Sequence, residues 1–216
     1  MLIFLAMKTL INKLNLFFVF SIMTNVVLSQ RIKEVVDIDN NIYHIIKIGK
    51  SEWMTENLKT IHYNNGDLIK DEHLTIDNPN PLYSGKYYSW KVVNDSRNIC
   101  PTGWYVPSDK DWFYMENKLG GEDIAAIDMK SDMKGIWDDF DFDDFNASGF
   151  NAYPIGYVTE KGKLSNVGIH AYWWSSTEQN EKQAIGRAIG VNEDNVYKGF
   201  ATKEDGLAVR CFRYVK

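Results

Sequence analysis

Cys100 and Cys211 are the only cysteines in this chain of 216 residues, and the segment far ahead of them sets the chemistry open to them. Residues 1–29 have the make-up of an export leader. Lys8 and Lys13 precede the apolar run Leu14-Asn15-Leu16-Phe17-Phe18-Val19-Phe20, which continues through Leu28, and Val27-Leu28-Ser29 offers a small-residue cleavage signal before Gln30. Met7 is an alternative start that supplies the positive end directly. About 15 apolar-rich residues fall short of the ~20 that span hydrocarbon, so a cleaved signal peptide over 1–29 and a mature domain over 30–216 are expected. No Cys follows the leader, which leaves a lipid anchor without its attachment point. An exported chain meets oxidising surroundings, where an even cysteine count argues for one disulfide. Closing a loop of about 110 residues contributes ~4–5 kcal/mol in the chain-entropy model.

Removing 1–29 takes away only the charges of Lys8 and Lys13, leaving 187 residues at net charge −7. That balance gives no electrostatic footprint for nucleic acid. No second long apolar run follows, so no integral membrane segment is expected after cleavage. A hydrophobic share of 44% and an aromatic share of 14% exclude a disordered chain and supply a real core.

Val35-Val36-Asp37-Ile38 and Tyr43 through Ile48 flank Asp39-Asn40-Asn41, which predicts a hairpin, and Glu52-Trp53-Met54 a third strand. From Thr60 to Asn98, turn signals such as Asn64-Asn65-Gly66-Asp67 and Asn78-Pro79-Asn80-Pro81 predict long loops with short extended pieces such as Tyr87-Tyr88-Ser89-Trp90. Ser108 with Asp111 is a capping-box-like start; Trp112, Met115 and Leu119 recur at helical spacing before Gly120-Gly121. A second short helix is expected from Glu122 to about Lys130, with Ile124 and Ile127 on one side. Strands are expected around Gly149–Pro154, Tyr172–Ser176, Gln183–Val191 and Leu207–Val215. Strands, two helices, then strands make one α+β domain.

Five ordered blocks carry a resemblance. Val36 through Gly49 with Trp53-Met54-Thr55-Glu56-Asn57-Leu58-Lys59; Cys100-Pro101-Thr102-Gly103-Trp104-Tyr105-Val106-Pro107-Ser108 with Asp111-Trp112 and Leu119-Gly120-Gly121; Ser148-Gly149-Phe150-Asn151-Ala152; Trp173-Trp174-Ser175-Ser176-Thr177; and Val209-Arg210-Cys211 resemble the Fibrobacter succinogenes major paralogous domain (FISUMP) family over about 35–215. The resemblance implies an exported bacterial domain with a C-type-lectin-like fold, akin to the formylglycine-generating enzymes, in which two short helices pack on mainly antiparallel strands. It implies no known reaction. It also implies a disulfide from the first helix region to the last strand, which suits Cys100 and Cys211. At Tyr105 the family is expected to carry His, so no role of that histidine transfers.

Trp173 and Trp174 are ligand-binding candidates, because an aromatic face packs on the apolar face of a pyranose. In a strand of period two their rings point to opposite faces, which favours core positions for both. Asp139, Asp141 and Asp143 are spaced like the first ligands of a calcium loop. The sixth and twelfth positions are Asp144 and Phe150 rather than Gly and Glu, so no metal is the default and calcium the minor alternative. The histidines at 44, 62, 73 and 170 lack zinc spacing, Gly-x-Ser-x-Gly is absent, and a Cys100–Cys211 bond would remove both thiolates from redox chemistry. The expectation is an exported, non-enzymatic binding module in the periplasm, at the cell surface or outside the cell. It would recognise a glycan or an envelope protein through loops at about 62–98, 138–146 and 160–170. The alternatives are a structural or assembly component of an envelope complex and, third, an enzyme.

Overall fold

The computed structural model describes residues 33–80, 82–137 and 145–215; the leader and the candidate calcium ligands Asp139, Asp141 and Asp143 lie outside them. Strands β1 (Glu34–Val36) and β2 (Ile42–Ile48) form the expected antiparallel hairpin, with Val36 opposite Ile42. Local polar chemistry makes its turn. The Asp37 carboxylate accepts from the backbone N–H groups of Asp39 and Asn41, both at 2.9 Å, and from the Tyr43 hydroxyl at 2.6 Å, while Asn40 takes the positive φ of 64° that asparagine tolerates. Strand β3 (Ser51–Met54) pairs with β2, and β9 (Phe212–Tyr214) pairs with β3, giving the order β1-β2-β3-β9. The first and last strands of the described chain thus share one sheet.

Helix α1 (Trp90–Val93) stands at the end of the long irregular stretch, where an extended piece was expected. Of Tyr87–Trp90, Tyr88 keeps strand-like pairing, with reciprocal backbone hydrogen bonds to Leu207 of 2.9 and 3.2 Å. Helix α2 (Asp109–Lys118) begins at a complete capping box between Ser108 and Asp111 and buries Trp112 and Met115. Helix α3 (Ala125–Met129) differs from expectation in its buried face. Ile124 is the N-cap, so the helix starts three residues after Glu122 and turns Ala125, Ala126 and Met129 inward, leaving Ile124 half exposed.

The segment around Gly149–Pro154 is not a strand. Its backbone groups are taken elsewhere: Phe150 and Asn151 carbonyls accept from Arg210, and the Ala152 carbonyl accepts from the Ser131 N–H and the Trp137 indole. A two-stranded ribbon, β4 (Tyr157–Val158) and β5 (Leu164–Ser165), precedes the meander β6 (His170–Glu178), β7 (Gln183–Gly190) and β8 (Tyr197–Thr202). Residues 207–208 run beside β6, with Ala208 donating to the Tyr172 carbonyl and accepting from Trp174 N–H. The stretch thus joins the meander to β9. Mixed helix and mostly antiparallel strand make the chain α+β. Cys100 and Cys211 are bonded, with Cα atoms 5.8 Å apart. No helix among the described residues is long and apolar enough to cross a membrane.

Candidate functional site

Trp173 and Trp174 have no exposed surface, which corrects their candidacy as a sugar platform. The alternation of β6 sends them to opposite faces, and a core lies on each. Trp173 packs with Trp112 and Phe150, at ring distances of 5.9 and 5.6 Å, and its indole donates to Asn57 Oδ1 at 2.8 Å. Trp174 joins the second core and donates to the Tyr88 carbonyl at 2.6 Å.

The recognisable sequence blocks converge on one buried cation. The Arg210 guanidinium donates to Asn57 Oδ1 at 2.8 Å, to the Met54 carbonyl at 3.3 Å, to the Asn151 carbonyl at 3.2 Å and to the Phe150 carbonyl, and lies 4.3 Å over the Phe150 ring. Burial lowers its pKa to about 9. Asn57, Phe150, Trp173 and Arg210 come from four of the five blocks, so those blocks meet in a packing knot.

The groove with the chemistry of a ligand site lies on one face of the β6-β7-β8 meander. Register places Ala188 opposite Tyr197, Gly186 opposite Gly199 and Ala184 opposite Ala201, with Tyr172 and Trp174 of β6 on that same face. Trp174 and Leu207 end the second core there. Beyond them β7 presents only Ala184, Gly186 and Ala188 to this face, and β8 Gly199 and Ala201 beside Tyr197, and a cavity of about 240 Å³ opens over the paired glycines. A Cβ built on Gly199 would meet nothing within 4 Å. The floor is therefore nearly bare backbone and the walls are tyrosines. Tyr157 meets Tyr172 edge-on at 5.1 Å, and Tyr197 is 45% exposed.

Polar groups sit at the rim. Asn166 Nδ2 donates to the Tyr172 hydroxyl at 2.8 Å, which leaves that hydroxyl its own proton to donate; burial raises the Tyr172 pKa and keeps it neutral at physiological pH. Asp205 accepts one backbone N–H at each carboxylate oxygen, from Glu160 at 2.9 Å and Thr202 at 3.2 Å, and each oxygen retains acceptor capacity. Arg187 borders the groove only through its strand. Its head group lies on the opposite face, 2.6 Å from Glu116 Oε1 and 2.8 Å from Asp109 Oδ1. Burial raises the Glu116 pKa against the pull of Arg187.

Of the expected loops, 160–170 supplies Asn166 to this groove. Loop 62–98 instead lines a larger cavity of about 800 Å³, in which Arg97 bonds Asp95 and Asp67 and His73 Nδ1 lies 2.6 Å from Asp71 Oδ1, with Lys70, Glu72, Lys91 and Glu204 also on its lining. Loop 138–146 falls almost wholly outside the described residues. Among the described residues no group of three or more His, Cys, Asp or Glu is placed to hold a metal ion.

Tyr157, Tyr172, Tyr197, Gly199 and Asp205 were not singled out from the sequence. A glycine inside a strand marks a close backbone approach or an open face, and Gly186 and Gly199 carried that signal. The model of the Fibrobacter succinogenes major domain matches residues 46–213. No curated protein and no solved structure matches the chain.

Proposed function

The chain belongs to the Fibrobacter succinogenes major domain family, and on that premise we propose that it is an exported, non-enzymatic binding module that recognises a glycan in the groove of the β6-β7-β8 face. The observation that carries this reading is the groove itself: tyrosine walls, a floor stripped of side chains at Gly186 and Gly199, and hydroxyl-bonding groups at the rim. Sugar rings are flat on one side and bristle with hydroxyls at the edge, so they fit walls of this kind. The volume is below the ~300–1,000 Å³ of pockets for drug-sized ligands, which suits one ring and not an extended cofactor. A single carboxylate, Asp205, lines it, whereas glycoside hydrolysis uses a pair; this supports binding over turnover.

Export is supported by the leader-like residues 1–29 and by the disulfide. The C-type-lectin-like arrangement is likewise part of the proposal, supported by the order of elements and by the bond from mid-chain to the end. The test is a glycan array followed by titration of the purified protein, with Gly199→Leu as the blocked control. Leucine fills open space there without backbone strain. Glycan binding that vanishes in Gly199→Leu is expected; binding indifferent to it sinks the reading.

An assembly component of the envelope is the second reading. It is favoured by exposed apolar side chains on two neighbouring segments, Val36, Ile38 and Ile42 on the hairpin and Ile61 and Leu68 beside it. Asp39 links the segments by accepting from the Ile61 and His62 N–H groups at 2.7 and 3.2 Å. This reading predicts a stable partner on gentle extraction and no sugar affinity.

A further inference from the structure

We propose that the groove accepts an uncharged pyranose and excludes acidic sugars, with Tyr197 as the stacking ring and Asp205 as the residue that sets the exclusion; this rests on the glycan reading above. Tyr197 is the most open of the three tyrosines lining the groove; Phe200, more exposed, alternates to the other face of β8. The Tyr197 side chain is half exposed and has neither a ring partner nor a hydrogen bond among the described residues, whereas Tyr172 already has the His170 ring stacked 5.5 Å away and Tyr157 against it. A sugar lying over the Gly186–Gly199 pair therefore finds its open aromatic face on Tyr197, one residue pair along the same face of the sheet.

The charge at the rim is one-sided. Asp205 is the only carboxylate lining the groove, and among the described residues no cation lies within 4.0 Å of it to form an ion pair. Lys161 and Lys163 line a second cavity that Asp205 also borders, and neither lines the groove. The one guanidinium in the groove's strands, that of Arg187, is held on the opposite face by Glu116 and Asp109. A uronate or sialate carboxylate would thus meet an Asp205 that no cation bonds among the described residues, although its field reaches His73, and a like-charge contact is costly. A neutral ring instead brings hydroxyl donors to the Asp205 oxygens. The Tyr172 O–H and the Asn166 side-chain oxygen, which makes no hydrogen bond among the described residues, complete a donor and acceptor set.

The test titrates the purified protein with methyl glycosides of common hexoses and with the uronate of each. The wild type should bind at least one neutral sugar at least about tenfold more tightly than its uronate, and the gap should narrow in high salt, because repulsion from a partly exposed carboxylate is screened. Asp205→Asn should close most of the gap, and Tyr197→Ala should weaken neutral binding about tenfold or more. If Asp205→Asn unfolds, as melting would show, the salt series on the wild type decides alone. A uronate that binds the wild type as tightly as the neutral sugar, while Gly199→Leu still abolishes binding, overturns the charge selection and leaves the groove reading standing. Loss of all sugar binding, or binding that ignores Gly199→Leu, overturns both.

Discussion

Asp71 and His73 show how much a single turn of chain can fix. Asp71 is the N-cap of the 3-10 turn Glu72–Thr75; its Oδ1 takes His73 Nδ1 at 2.6 Å and its Oδ2 takes the Ser89 N–H at 2.7 Å. Burial pushes the Asp71 pKa up, but the hydrogen bonds from His73 and Ser89 outweigh it and the net direction is down. The bond to Asp71 raises the His73 pKa against the effect of burial. The raised histidine contributes stability that is complete below its unfolded value of about 6.5 and is lost as pH rises through the folded value. The lowered aspartate contributes stability that is present above about 4 and lost as pH falls through its folded value. The melting temperature of the wild type should therefore exceed that of His73→Gln most between about pH 4 and 6.5, with the difference shrinking on the alkaline side. A difference that stays constant from pH 6 to 9 would show that the pair is not charged in the fold. The sequence gives Asp-x-His here without a hint of the turn that brings the two together, so the four histidines could be judged only by spacing.

Elements were legible where local chemistry writes them and obscure where burial does. The hairpin around Asp37–Asn41 and the Ser108–Asp111 cap rest on side chains bonding to backbone a few residues away, and both were read correctly. Strand β8 was missed because Tyr197, Lys198, Gly199 and Phe200 are all exposed, which erases the period-two pattern that marks a half-buried strand. The groove went with it, since half of its floor is β8. That same exposure makes a prediction about Gly199. A strand-interior glycine carries an entropic penalty that a β-branched residue does not, and the position has room for one. Gly199→Val should raise stability by about 0.5–1 kcal/mol, seen as about 1–4 °C in melting, while filling the groove. A fall in melting temperature would mean that the backbone at Gly199 is less open than described.

At the scale of the molecule, the Cys100–Cys211 bond closes a separation of 111 residues that contains α2, α3 and the whole β6-β7-β8 meander. In the chain-entropy model a loop of that length is worth ~4.7 kcal/mol, an upper figure since reduced chains retain structure. Yet the tail does not depend on the bond for its place. β9 pairs with β3, Met54 N–H donates to the Cys211 carbonyl at 3.1 Å, Arg213 bonds Glu52 at 2.6 and 2.8 Å, and Arg210 ties the adjacent residue into four acceptors. Entropy and contacts then make separable contributions. Reduction, or the double substitution Cys100→Ala with Cys211→Ala, should lower unfolding free energy by about 2–4 kcal/mol and leave the native state, and sugar affinity at room temperature, in place. Urea titration with and without reductant measures the first and calorimetric titration the second. If reduction instead abolishes binding while most of the structure survives, the bond holds the groove in shape as well as restraining the unfolded chain, and the tail's own contacts are weaker than their geometry indicates.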